Sequence, residues 1–305
     1  MTADTEIREQ IGAVGAGCYS DGHPYDAVHY LECKLILTPH RFTSVAAFQE
    51  FGAFMGGVAK TSGVGVASAP GMGSTPTLRE VMFFDTPDFR LYNNAFILRR
   101  RTRYEHGFAI GDPEIVFKFR HADLCKAAEV DVRPRIAGNY RVKFKAEMLP
   151  LRDRLGGYRM LFSHNTQFGL SQVRLEDSNP ITLVAEIFPP LDRLADAPDA
   201  KVELVNHMVV EELLLDLGVL EFGKGVTAEC NVALWRSRAE HTPLVGEFAF
   251  QCKFKRCDEL HDKAMHRCRE LFINLQTAGR EWVLPGTTKT GVVYRFNGNV
   301  PQNHE

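Results

Sequence analysis

Apolar and polar positions alternate with a period of two through much of this chain. In "HYLECKLIL", residues 29–37, Leu31, Cys33, Leu35 and Leu37 share one face of an extended segment, and Tyr30, Glu32 and Lys34 share the other. Strand side chains point alternately to opposite faces, so this pattern predicts a half-buried strand. The same alternation predicts strands near 79–85, 95–104, 114–121, 128–134, 141–147, 171–177 and 181–188, and again in "AECNVALWRSR" and "PLVGEFAFQCKFK". A last short strand is predicted at "TGVVYRF". Helical spacing is read in three places. In "TPHRFTSVAAFQEFGAFMGGVAK", Val45, Phe48, Phe51 and Phe54 form one stripe behind a Thr43 or Ser44 cap; the others are "VELVNHMVVEELLLDLG" (202–218) and a segment over 258–277.

Residues 1–27 lack periodicity and read as a flexible tail, 28–296 as a single domain and 297–305 as a polar tail. The Gly/Ser/Pro-rich "TSGVGVASAPGMGSTPT" reads as a loop. It neither follows a strand nor ends in Gly-Lys-Ser/Thr, which leaves a phosphate-binding loop little support. The sum is an α+β fold built on a large, mostly antiparallel sheet.

Composition narrows the class. With 305 residues, 45% hydrophobic and 24% charged, the chain is ordinary for a globular protein. No apolar run approaches the roughly 20 residues that span a bilayer, so no membrane partner is expected. The start, "MTADTEIREQ", lacks the basic and apolar regions of a secretory signal. Seven cysteines without a CxxC pair read as reduced thiols, which points to the cytoplasm. A net charge of −2 gives nucleic-acid binding no support. Eleven histidines include no HxH or HExxH, and there is no G-x-S-x-G elbow.

The charges on the polar strand faces are sorted by type. Arg99, Arg101 and Arg103 share a face; Lys118 and Arg120 lie with Glu114 and Val116; Glu129 and Asp131 lie with Arg133; Arg174 lies between Gln172 and Glu176. A sheet with one wet face gives such alternation by itself. Sorting by type favours an enclosed site for a polyanion. Arginine offers paired donors to phosphate oxygens, carboxylates hold Mg²⁺ or Mn²⁺, and a closed barrel would bring them together.

These stretches resemble the triphosphate tunnel metalloenzymes, the CYTH superfamily. "FFDTPDFRLYNNAFILRRR" (83–101) is similar to that family's Tyr-Phe-Asp-Thr-Pro strand, turn and Leu-Arg-x-Arg strand; "EIVFKFR" is similar to the next strand and "AEVDV" to the acidic one after it. "YLECKL" stands where the Glu-x-Glu-x-Lys signature belongs, with Tyr30 in place of the first glutamate. The resemblance implies an eight-stranded closed antiparallel β-barrel with surrounding helices. It implies Mg²⁺- or Mn²⁺-dependent hydrolysis of a triphosphate-containing small molecule, inorganic, nucleoside or organic. An RNA 5′-triphosphate end is the one nucleic-acid substrate it allows. A phosphate- or nucleotide-binding protein without turnover, or an adenylate cyclase, are the alternatives. By the same resemblance Glu32 and Lys34 would be catalytic. Lys34, Arg99, Arg101 and Lys118, with Arg174 added from its strand face, would bind substrate. Glu32, Glu129, Asp131 and Glu247 would hold metal. The late acidic strand is incomplete, since Glu247 is followed two residues on by Ala249 and Glu186 by Phe188.

Overall fold

A computed structural model describes residues 3–68, 75–196 and 199–298. Part of the Gly-rich loop (69–74) and most of the C-terminal tail (299–305) lie outside the described residues. In chain order the strands are β1 (Tyr30–Leu37), β2 (Gly65–Ala67), β3 (Thr77–Asp85), β4 (Phe96–Glu105), β5 (Phe108–His121), β6 (Arg141–Pro150), β7 (Tyr158–Gly169), β8 (Ser178–Pro180), β9 (Lys201–Gly223), β10 (Val226–Ser237) and β11 (Pro243–Lys253). The α-helices are α1 (Ala3–Gly12), α2 (Val45–Thr61), α3 (Arg90–Asn93), α4 (Leu124–Glu129), α5 (Ile181–Ile187), α6 (Asp262–Ala278) and α7 (Lys289–Tyr294).

Strands pair in the order β10-β11-β1-β6-β7-β5-β4-β3-β9, and β9 returns to pair with β10. The result is the closed barrel the alternation and the family resemblance imply. It has nine strands rather than eight, and it is mixed, because β1 runs parallel to β6 while it pairs antiparallel with β11. Short β2 and β8 add to the edges of β9. Outward faces carry the large apolar core (Leu31, Cys33 and Leu35 on β1; Phe248, Phe250 and Cys252 on β11), covered by α2 and α6. Ser44 caps α2 by accepting a hydrogen bond from Ala47 N, at 3.4 Å. All seven cysteines are free thiols. No helix among the described residues is long and apolar enough to cross a membrane.

Six readings of local structure are corrected. The largest concerns 202–218, which belongs to the 23-residue strand β9 and not to a helix. Asn206 and His207 take positive φ, and the register with β3 slips between Met82 and Phe84. This bulge switches which positions face inward, so Val205 and Met208 both point into the barrel, and three-residue spacing imitates a helix. Residues 181–188 and "TGVVYRF" form the short helices α5 and α7, not strands, although β-branched residues crowd both. Residues 128–134 run from the end of α4 into extended chain that pairs with no strand; Val132 alternates into the core without a ladder. Residues 171–177 are a short turn of helix and irregular chain. The strand at that place in the order is β7, unread because its faces mix aromatic and neutral polar side chains. Within the segment read as a tail, α1 buries Ile7 and Ile11.

Candidate functional site: a basic, one-mouthed tunnel

The period-two register that builds the barrel also decides what fills it. The inward row of β1 is Glu32, Lys34, Ile36; of β6, Lys143, Lys145, Glu147, Leu149; of β11, Val245, Glu247, Ala249. On β4 the row is Ile97, Arg99, Arg101, and on β9 it is Val210, Glu212, Leu214. Most rows change from apolar to charged in the same direction. At one end Ile36, Val81, Phe83, Ile97, Val210, Trp235 and Val245 form a second apolar core together with Val293 and Tyr294 of α7. That cluster closes one end of the barrel. The charged remainder encloses a cavity of about 230 Å³, lined by nine basic side chains against three glutamates. Glu147, wholly buried, lies behind the lining.

α7 is held in this end by specific contacts. The Asn206 side chain, on the β9 bulge, donates to Val293 O at 2.7 Å and to Tyr294 O at 3.1 Å. Tyr294 stacks on Tyr92 with centroids 4.1 Å apart and donates its hydroxyl to Asp85 Oδ2 at 3.1 Å. Asp85, from "FFDTP", also accepts from the backbone of Thr86, Leu91 and Tyr92 at 2.7–2.8 Å. Its carboxylate therefore organises the β3–α3 turn and does not face the cavity. Thr288, Lys289 and Thr290, at the start of α7, reach the cavity wall.

Two lysines bridge the four carboxylates. Lys34 Nζ lies 2.9 Å from both Glu32 and Glu147. Lys289 Nζ lies 3.2 Å from Glu212 and 2.8 Å from Glu247. Further cations crowd the same acids: Lys145 is 3.3 Å from Glu32, Arg120 is 3.2 Å from Glu147, and Arg79 is 3.6 Å from Glu212. Burial alone would raise these carboxyls, but Lys145 and Lys34 hold Glu32 down at about 2, and Lys289 and Arg79 hold Glu212 at about 2. Arg120, Lys34 and Lys118 hold Glu147 well below the usual carboxylate range. Glu32, Glu147 and Glu212 are therefore ionised at neutral pH.

The cations left over are the more telling. Arg101 is taken by Glu114. Arg99 has no hydrogen-bond or ion-pair partner among the described residues, and its Nε is buried. Burial, and then Arg101 beside it, push its basicity down, though a guanidinium stays charged at neutral pH. Burial pulls Lys118 well below its ordinary range despite Glu147 at 3.8 Å. Burial, then Lys145 and Arg141, bring Lys143 down to about 8. The lumen holds more positive charge than its own acids compensate.

Of the residues singled out from sequence, Glu32, Lys34, Arg99, Arg101, Lys118 and Glu247 line this one cavity. Glu129, Asp131 and Arg174 do not. Glu129 is exposed at the end of α4, Asp131 pairs with Arg133 at 2.6 Å, and Arg174 is exposed beyond β7. Extended chain without a ladder gave them an apparent inward face. Sequence reasoning passed over Arg79, Lys143, Lys145, Glu147, Glu212 and Lys289. The β6 residues were readable, since in "RVKFKAE" Lys143, Lys145 and Glu147 alternate against Val142, Phe144 and Ala146.

The resemblance implies a divalent metal, and the carboxylates do not fit a resident one. Each lumen glutamate has a lysine against it, and no three metal-ligating side chains gather among the described residues. Hard divalent cations seek several oxygen ligands at once, a set these lysine-bridged pairs do not present.

No family model and no curated protein matches the sequence. Solved structures with which the chain aligns include a Hippeastrum protein assigned as an adenylyl cyclase and found to have a dominant triphosphatase activity, at 12% identity over 91% of this chain and 100% of that one, TM-score 0.40. Others are the PH1819 protein of Pyrococcus horikoshii (10% identity, 88% and 99%, TM-score 0.35) and a Bacillus halodurans protein assigned as an adenylate cyclase (10%, 86% and 95%, TM-score 0.37). Likeness at this level carries no argument about this chain.

Proposed function

We propose that this CYTH-like tunnel binds a triphosphate-containing small molecule, inserted phosphate-first through its open end. The observation that carries the reading is the surplus of lumen cations over carboxylates, with Arg99 unpartnered in the wall. A buried, uncompensated guanidinium is costly to keep and is satisfied by an anion that brings its own oxygens. Arg99, Lys118 and Lys143 would receive phosphate oxygens directly. Arg101 and Lys145 would share theirs between Glu114 or Glu32 and the ligand. A linear triphosphate matches a narrow pocket with cations along its length better than a single phosphate does.

Hydrolysis of the bound triphosphate is the second reading, favoured by Glu32 facing the same cavity as those cations. Cations in the wall would stabilise charge that develops on the leaving phosphate. Glu32, held at about 2, is too weak a base to take a proton readily and would instead orient a water.

Calorimetric titration with inorganic triphosphate tests the first reading. Arg99→Ala removes a charge-assisted contact worth about 1.5–3 kcal/mol, so affinity should fall roughly tenfold or more. Undiminished affinity in a folded Arg99→Ala would remove the lumen from consideration. Phosphate release measured with and without Mg²⁺ or Mn²⁺ tests the second.

A further inference from the structure

We infer that Lys289 is a built-in cation standing where a divalent ion would otherwise bridge Glu212 and Glu247, so that this end of the tunnel grips a phosphate without metal. The inference rests on the triphosphate reading and adds to it the identity of the deep counter-charge.

Lys289 is fixed from several sides. Its ammonium lies 3.2 Å from Glu212 and 2.8 Å from Glu247, and 4.5 Å above the face of Trp235, whose indole N–H donates to Glu212 at 2.7 Å. Two carboxylates and an aromatic face suit an ammonium. A divalent ion gains little from the indole and would need further oxygen ligands. Nor is this a long side chain that strayed in from the surface. Thr288 caps α7 by accepting from Gly291 N at 3.0 Å, and Asn206 and Tyr294 secure the helix's other end. The lysine is delivered by an element whose docking is independent of it. Lys34 repeats the arrangement between Glu32 and Glu147, at 2.9 Å from each. Both carboxylate pairs of the lumen thus carry a protein ammonium, and a lysine on the cavity wall keeps a donor for a phosphate oxygen.

Mn²⁺ titrated calorimetrically into ligand-free protein tests this apart from any substrate. The wild type should show no site. Lys289→Gln, which empties the position while keeping a polar side chain, should gain one Mn²⁺ site. Adding Glu247→Gln to that variant should abolish it again, and Lys289→Arg should behave as wild type. A wild type that takes up Mn²⁺ as readily as Lys289→Gln would overturn the inference, as would a Lys289→Gln protein with an unchanged melting transition and no Mn²⁺ site. Inorganic triphosphate in excess EDTA gives the second arm. The wild type should bind it undiminished, and Lys289→Gln should bind it at least several-fold more weakly, with Mn²⁺ restoring affinity. If the wild type binds triphosphate only when Mn²⁺ is present, the triphosphate reading stands and the metal-free grip fails. If it binds under neither condition, the triphosphate reading itself fails, whatever the Mn²⁺ titration shows.

Discussion

Asp85, in "FFDTP", acts through architecture and not through the cavity. Three backbone N–H groups and the Tyr294 hydroxyl converge on its carboxylate. Asp85→Ala strands those buried donors, each at a cost of about 1–3 kcal/mol, so urea unfolding should show a loss of about 3 kcal/mol or more. Tyr294→Phe removes one donor and should cost about 1 kcal/mol. Equal, small losses for both would mean the turn is held otherwise. The depressed lysines make a second prediction at this scale. Lys143, brought down to about 8, is partly neutral at pH 8 in the ligand-free tunnel, and burial pulls Lys118 well below its ordinary range. A polyanion raises both, so triphosphate binding at pH 8 should take up protons. Calorimetry in two buffers of different ionisation enthalpy measures the number, and proton release would contradict the assignment. The same linkage acts on stability. Below about 8 the folded protein bears the full penalty of charging Lys143; as pH rises from there towards the ordinary 10.5, the unfolded chain keeps a proton the folded one has shed, and this penalty is relieved.

At the scale of elements, the bulge of β9 and the helix α7 form one device. Positive φ at Asn206 turns its side chain to the carbonyls of Val293 and Tyr294, seating α7 across the apolar end of the barrel. Asn206→Ala should loosen α7 and admit solvent to Trp235, now 1% exposed. In a Trp282→Phe background, acrylamide quenching of Trp235 should rise clearly; unchanged quenching would place the closure elsewhere. This device also explains where sequence reading stopped. Strands with regular alternation, such as β1 and β4, were legible together with their inward Glu32, Lys34, Arg99 and Arg101. The bulge hid β9 behind a helical period and took Glu212 with it. Lys289 could not be read at all, since its place in the lumen depends on α7 packing against β9 and β11, elements that only the fold brings to it. Asp131 shows the converse: it alternates faultlessly in "AEVDV" but meets no neighbouring strand, and only a ladder decides which side is inside.

For the whole molecule, the apolar core around Trp235 and Tyr294 gives the barrel a blind end. A blind passage serves arrivals and departures through one doorway. Whatever leaves must do so before the next molecule can enter, and a shorter phosphate left inside is an obstruction and not a bystander. Inorganic phosphate and pyrophosphate should therefore compete with triphosphate for the same opening, displacing it in competition titrations without forming a ternary complex. A phosphate chain longer than the cavity could present only its terminus, never an interior link, so its length beyond that terminus should add little to affinity. Simultaneous occupancy by triphosphate and pyrophosphate would show a second way in.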